Sequence, residues 1–245
     1  MTPVANPSVL VVAHPDDEVL WFSSVVSQVD LVICAFLADP NRLAMAERRR
    51  RALANLPFQV EVLALDEAGT FDAVNWKHPE PSALGLALNA KGTTQAVRDA
   101  YAANFTALRS QLARRIPTGA TVYTHNPWGE YGHPDHVQIF RVLDGLRDAL
   151  QVTLRCPLYA SPRSAALMAR FSLPDGSHED PAECDRQTAE AAKLVYQRNG
   201  CWTWSDDWVW PTSEVIVSAP QPLEGGDSID QHEGMAWLPD PKTIF

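Results

Sequence analysis

The sequence predicts an α/β fold: a Rossmann-like, mostly parallel sheet with helices on both faces, in a single domain that turns irregular toward its C-terminus. Three observations lead there. Short runs rich in β-branched residues alternate with helical patterns through the first half of the chain, the signature of βαβ units. No internal repeat and no linker divides the 245 residues, a length that one large core can fill. The first apolar run, Val9-Leu10-Val11-Val12-Ala13, stops at His14-Pro15-Asp16-Asp17-Glu18. That places an imidazole and three carboxylates at the carboxyl end of a buried strand, where open α/β sheets bind ligands.

In chain order, residues 8–13 read as strand and 19–29 as helix. Residues 30–37 are strand again, 42–55 helix closed by Pro57, and 59–65 a third strand. Residues 67–94 form a long Pro- and Gly-containing stretch with a weak helical pattern at 82–88, read as a lid or pocket wall because structureless loops of this length are usually functional. Residues 94–116 carry Val97, Tyr101, Phe105, Leu108 and Leu112 at helical spacing, and 121–125 are a short strand. The loop 126–136 runs into a helix expected over 137–150, followed by a strand at 152–159. Beyond it stand a helix over 183–199, a Trp-rich segment at 201–211 and a last strand at 215–218. The tail from Pro220 is expected to drape over the surface. The core is placed at about 8–160, with a substrate-side extension over about 160–245.

Bulk properties exclude some functions. A formal charge of −10 offers no footprint for nucleic acid and disfavours anionic membranes. Cys34, Cys156, Cys184 and Cys201 contain no C-x-x-C pair and read as reduced, buried thiols. No apolar run is long enough to span a bilayer, and the first residues lack a basic n-region, so a cytoplasmic location is expected. The oligomeric state stays open.

Two segments carry the chemistry: His14-x-x-Asp17 and His133-x-x-His136, each in a loop after a predicted strand. In a parallel sheet both loops leave the same edge. Three ligands drawn from His and Asp with one open position compose a catalytic zinc site, and a carboxylate not spent on the metal is available as a base.

At these residues the chain resembles a known family. Val12-Ala13-His14-Pro15-Asp16-Asp17-Glu18, together with Tyr131-Gly132-His133-Pro134-Asp135-His136, is similar to the signature of the PIG-L/LmbE-like zinc-dependent N-deacetylases. The resemblance covers both motifs and the strand order of roughly the first 160 residues. It implies His14, Asp17 and His136 as zinc ligands and Asp16 as general base toward the water that attacks an acetamide carbonyl. His133 would donate to the oxyanion or protonate the leaving amine, Asp135 would orient His133, and Tyr131 would assist oxyanion stabilisation. The implied reaction is removal of an N-acetyl group from a small N-acetylated substrate, an amino sugar or related conjugate. His₂Asp ligation also suits Fe2+ or another divalent ion.

The chain departs from the family on the helix after the second strand, where an Arg-x-x-Glu pair is usual: here Met45 and Arg48 stand at those places. Arg48, Arg49, Arg50 and Arg51 lie close by, and helical geometry lets one or two of them face a pocket. Other readings are a zinc amidase of the same family cleaving a larger amide and a catalytically silent metal- or glycan-binding module. A nucleotide-binding Rossmann fold is disfavoured, since the loop after the first strand is acidic and has no glycine.

Several residues carry a plainer reading beside the functional one. Glu18 suits a helix start, and His125 either lines the pocket or is a satisfied buried histidine. His78, His178 and His232 read as surface groups. Trp202, Trp204, Trp208 and Trp210 are expected on two short strands around a Ser-Asp-Asp turn, as packing or as a sugar platform. Arg163 is a candidate for an anionic substituent.

Overall fold

The computed structural model describes residues 6–40, 42, 44–174, 179–223 and 234–240. A seven-stranded sheet forms its centre. Five strands are parallel neighbours: β1 (Ser8–Val12), β2 (Leu31–Ala38), β3 (Val60–Asp66), β6 (Thr121–Thr124) and β7 (Thr153–Pro157). Two antiparallel strands from the C-terminal region, β11 (Ser213–Ser218) and β10 (Glu179–Glu183), extend the β7 edge. The order is β10-β11-β7-β6-β1-β2-β3. Chain direction across the sheet therefore reverses between β1 and β6, and the loops leaving these two strands part there and open a crevice.

β1 is apolar on both faces because both are covered. Leu10 and Val12 belong to a core with Ala189, Ala192 and Tyr196 of α7 (Arg186–Asn199) and with Met45 and Ala52 of α2 (Met45–Leu53). Val9 and Val11 belong to the opposite core, with Leu108 and Leu112 of α3 (Gln95–Arg115) and Ile139 and Leu143 of α4 (Pro134–Asp144). Alternation of period two in the strand is thus matched by a helical layer on each side. All four cysteines are buried and free. Among the described residues no helix is long and apolar enough to cross a membrane.

Four expectations are corrected. The helix expected over 19–29 is one turn, α1 (Asp17–Leu20), followed by separate turns. The Ser24 N–H donates to Glu214 Oε2 at 2.9 Å, and the Ser23 and Ser24 hydroxyls donate to the same carboxylate. A buried acceptor takes the backbone donor a continuing helix would need. The weak helical pattern at 82–88 is a hairpin of β4 (Pro81–Ser82) and β5 (Gly85–Leu86) lying on α4 and meeting Tyr101 of α3. Gly85 has φ +121°, and a Cβ there would stand 2.6 Å from Tyr101 OH, so only glycine allows this approach. The Trp-rich segment contains no strand. Its carbonyls turn to Lys193 of α7, whose Nζ donates to Asp206 O at 2.7 Å and Trp208 O at 3.1 Å. The helix expected over 137–150 starts earlier, at Pro134, and breaks after Asp144 before a single turn, α5 (Arg147–Leu150). His178, His232 and most of the tail after Leu223 lie outside the described residues.

Candidate metal centre

His14, Asp16 and Asp17 follow β1; His133, Asp135 and His136 lie where the loop after β6 becomes α4. The His133 imidazole caps that helix, its Nδ1 accepting the Asp135 backbone N–H at 3.2 Å, with Pro134 in the first helical position. The early helix start puts His136 within the first turn, aimed back across the crevice at His14. Both motifs are buried: His14 is 5 % exposed, Asp17 2 % and His136 0 %.

Three overlapping sets of side chains bring ligand atoms within 4.8 Å of one another: His14, His133 and His136; Asp17, His125 and His136; His14, Glu67 and Asp135. An equilateral arrangement crosses these sets. His14 Nδ1, Asp17 Oδ2 and His136 Nε2 stand 3.3 Å apart along each edge. Donors held about 2.0–2.1 Å from one tetrahedral ion are separated by roughly 3.3–3.4 Å, so this triangle fits one face of such an ion. The far nitrogen of each histidine turns to a carboxylate: His14 Nε2 to Asp135 Oδ2 at 3.4 Å, and His136 Nδ1 to Glu130 Oε2 at 2.7 Å. That is the outer support metal-ligating histidines use to fix ring and tautomer. Asp17 Oδ1 is likewise held by Trp21 Nε1 at 2.9 Å.

Electrostatics point the same way. Burial disfavours a proton on His14 and on His136, yet Glu67, Asp135 and Asp17 lift His14 to about 10, and Asp17 with Glu130 lifts His136 to about 9. Burial also opposes ionisation of Asp17, but His136, His14 and His125 hold its carboxyl well below the usual range. The crevice is a negative hollow suited to a cation. His133 behaves oppositely: burial, His14 and His136 push it well below its usual value. With Nδ1 accepting from Asp135, the neutral ring carries its proton on Nε2 as a donor.

Asp16 stands beside the triangle at φ +102°, in the left-handed region. Its Oδ2 accepts two hydrogen bonds from Thr203, 2.9 Å from the backbone N–H and 2.7 Å from the hydroxyl. Burial and the adjacent Asp17 push its carboxyl up to about 7. Glu18 is structural: its Oε2 accepts the Asp16 N–H at 3.0 Å and its Oε1 the Tyr196 hydroxyl at 2.5 Å. Asp135 does not point its carboxylate at His133; its Oδ1 accepts from the Thr70 hydroxyl at 2.7 Å and its Oδ2 faces His14. It reaches His133 through its backbone N–H instead. His125 is a satisfied buried histidine, its Nε2 accepting the Ala13 N–H at 2.9 Å.

A cavity of about 260 Å3 opens beside the cluster, lined among others by His14, Glu67, Thr70, Tyr131, His133 and Thr203. Two larger hollows, of about 730 and 890 Å3, are lined by none of these residues. Of the four arginines on α2, Arg49 alone is buried; it lines the cavity, and its Nη1 donates to Glu67 Oε1 at 2.5 Å and to Leu37 O at 3.1 Å. Arg48 is exposed and bonds Gly200 O, and Arg50 and Arg51 face Glu47 on the surface. None of the four tryptophans of the 202–210 segment lines the cavity. Trp204 packs on Trp21 and Tyr131, with ring centroids 5.1 and 5.0 Å apart, so its ring is packing behind the site, while Thr203 beside it lines the cavity. Arg163 stacks on Phe71 and faces the 890 Å3 hollow rather than this one.

Sequence reasoning missed Glu67, Thr70, Glu130 and Thr203. Glu130 gave one local signal, its position between Gly129 and Gly132 in a loop already singled out. Glu67 and Thr70 lie in the 67–94 stretch expected to form a lid or pocket wall, and it does line the cavity; Thr203 lies in the Trp-rich segment, where nothing set it apart from its neighbours.

Fold and site together define a mostly parallel α/β protein with a buried His/Asp cluster able to hold a metal ion at the sheet's switch point. No family model matches the sequence, and no curated protein matches it. Solved structures do match the fold. A teicoplanin-pathway deacetylase in complex with teicoplanin is 15 % identical, with a TM-score of 0.53 over 87 % of this chain and 98 % of that one. The zinc-inhibited form of the teicoplanin deacetylase Orf2 is 15 % identical, with a TM-score of 0.53 over 89 % of this chain and 100 % of that one. The A40926 pseudoaglycone deacetylase Dbv21 is 15 % identical, with a TM-score of 0.51 over 90 % of this chain and 100 % of that one.

Proposed function

We propose that this chain is a zinc-dependent hydrolase that removes the N-acetyl group from an amino sugar or a related small conjugate. One observation carries the reading: the 3.3 Å triangle of His14 Nδ1, Asp17 Oδ2 and His136 Nε2, with a held carboxylate and a neutral imidazole donor beside it. The likeness to deacetylase structures, one of them of a zinc-inhibited form, supports it.

His14, Asp17 and His136 would hold the ion. A divalent ion bound there supplies Lewis-acid polarisation of the acyl carbonyl and makes water a better nucleophile at neutral pH. The remaining work belongs to the chain. Asp16 accepts the proton of the attacking water: Thr203 fixes its Oδ2, and a carboxyl near 7 suits a base at neutral pH. His133 offers its Nε2–H to the acyl oxygen as negative charge builds there, an interaction worth ~10²–10³ in rate in comparable sites. The phenol of Tyr131, buried and held in its protonated form by burial and the surrounding carboxylates, is a second donor. Collapse breaks the C–N bond, and the proton on Asp16 passes to the departing amine, leaving acetate and a free amine. The cavity is small and lined mainly by polar and charged side chains, which suits a short acyl group on a hydroxylated ring.

The test is metal analysis combined with acetate release from a panel of N-acetylated sugars, glycoconjugates and aminoglycosides. Wild type is expected to hold one divalent ion and release acetate from a member of the panel. Asp16→Ala keeps the ion and loses activity, and His136→Ala loses both. A wild-type chain without a divalent ion, or Asp16→Ala with full activity, refutes the mechanism.

A further inference from the structure

One carboxylate, Glu130, lies behind the metal triangle and touches histidines that lead to both halves of it. Its Oε2 is 2.7 Å from His136 Nδ1 and 3.0 Å from His125 Nδ1, and its Oε1 accepts the Asn126 N–H at 2.8 Å. A carboxylate that only accepts keeps a proton on Nδ1 of each ring, so Nε2 is the nitrogen left to present a lone pair. The two lone pairs have different fates. His125 Nε2 is spent on the Ala13 N–H at 2.9 Å. His136 Nε2 faces the triangle, 3.3 Å from both His14 Nδ1 and Asp17 Oδ2.

Ala13 is the residue before His14. Glu130 therefore grips the second motif directly through His136, and the first motif through His125 and the backbone that carries His14. The grip is itself held in an uncommon backbone conformation, φ +48°, for a residue that is not glycine. Asn126 Oδ1 accepts the Glu130 N–H at 3.0 Å, and the Ser164 hydroxyl donates to Glu130 O at 2.6 Å. Such a conformation persists where surrounding bonds over-determine it, and it clusters at functional sites.

We infer that Glu130 is the positioning residue that joins the two motifs into one metal site. It sets His136 in the tautomer that can coordinate, and it excludes His125 from ligation by committing that ring to Ala13. The inference rests on the metal-binding half of the proposed function and not on the acyl chemistry.

Zinc affinity of the full chain is measured by competition with a chromogenic chelator for wild type, Glu130→Gln and His125→Gln. Nitrogen-15 long-range correlation spectra of the wild type report the tautomer of each ring. Glu130→Gln is expected to weaken zinc binding roughly tenfold to a hundredfold, the usual effect of losing such an outer partner. His125→Gln is expected to keep one ion per chain at reduced affinity. In the zinc-loaded wild type both rings are expected as Nδ1–H with no proton on Nε2, an observation that needs no variant to fold. Unchanged zinc affinity in Glu130→Gln, loss of stoichiometric binding in His125→Gln, or either ring protonated on Nε2 alone overturns the inference. Zinc affinity that follows Glu130 in a chain inactive on every N-acetyl substrate upholds the inference while removing the deacetylase reading.

Discussion

Replacing Glu67 by glutamine strands a buried cation next to the site. Arg49 is 4 % exposed, and its charge is answered by Glu67 Oε1 at 2.5 Å, with Leu37 O at 3.1 Å as the other acceptor of the same nitrogen. Breaking a buried pair by removing one partner costs about 3–5 kcal/mol, because the remaining charge stays desolvated. The carbonyl and the glutamine oxygen still accept, so the lower end applies, about 3 kcal/mol, or a melting temperature roughly 6–12 °C lower for a chain of this size. Arg49→Met costs less, about 1–2 kcal/mol, since Glu67 borders an open cavity where water can reach it. The double variant Arg49→Met/Glu67→Gln leaves no charge unpaired, and a coupling energy of about 2 kcal/mol is expected between the two sites. Denaturant unfolding of the four metal-free proteins closes the cycle. A coupling energy indistinguishable from zero would show that the pair is not desolvated as the structure has it.

Three further outcomes follow from the same geometry. Thr203→Val removes the hydroxyl that holds Asp16 at 2.7 Å, a charged hydrogen bond of about 1.5–3 kcal/mol, so kcat falls roughly tenfold or more while Thr203→Ser restores it; equal rates in Val and Ser variants would refute the role. Gly129→Ala forces a Cβ to 2.6 Å from the His133 carbonyl at φ +70°, and the adjoining loop must shift, so zinc affinity and melting temperature both drop; an unaltered affinity would mean the loop yields freely. Glu214 has its pKa raised by burial, against the pull of the Ser23, Ser24 and Tyr159 donors. A raised folded value means its stabilisation is complete below the unfolded pKa of about 4.3 and is lost as pH rises through the folded value. The stability of Glu214→Gln relative to wild type should therefore improve as pH climbs above about 4.3 and then level off, and a difference independent of pH would sink the argument.

The sequence by itself determined the layered α/β architecture, because β-branched runs and 3.6-residue periodicity report burial locally and each strand carries its own record of which faces are covered. It also determined that His14, Asp17 and His136 share one edge of the sheet, since parallel strands send their following loops the same way. What only the tertiary structure decided is who satisfies the buried polar atoms. Ser24 gives its N–H to Glu214, 190 residues away, which ends the helix that the pattern of residues 19–29 predicts. Thr203 reaches Asp16 across 187 residues, and Lys193 takes the carbonyls that a tryptophan hairpin would have paired. Arg49, one of four arginines in a row, turns inward because Glu67 from the loop after β3 meets it there. Periodicity marks a position as buried and leaves its polar partner unspecified; that partner depends on where distant parts of the chain return, and in this protein those returns align the carboxylates around the triangle of His14, Asp17 and His136.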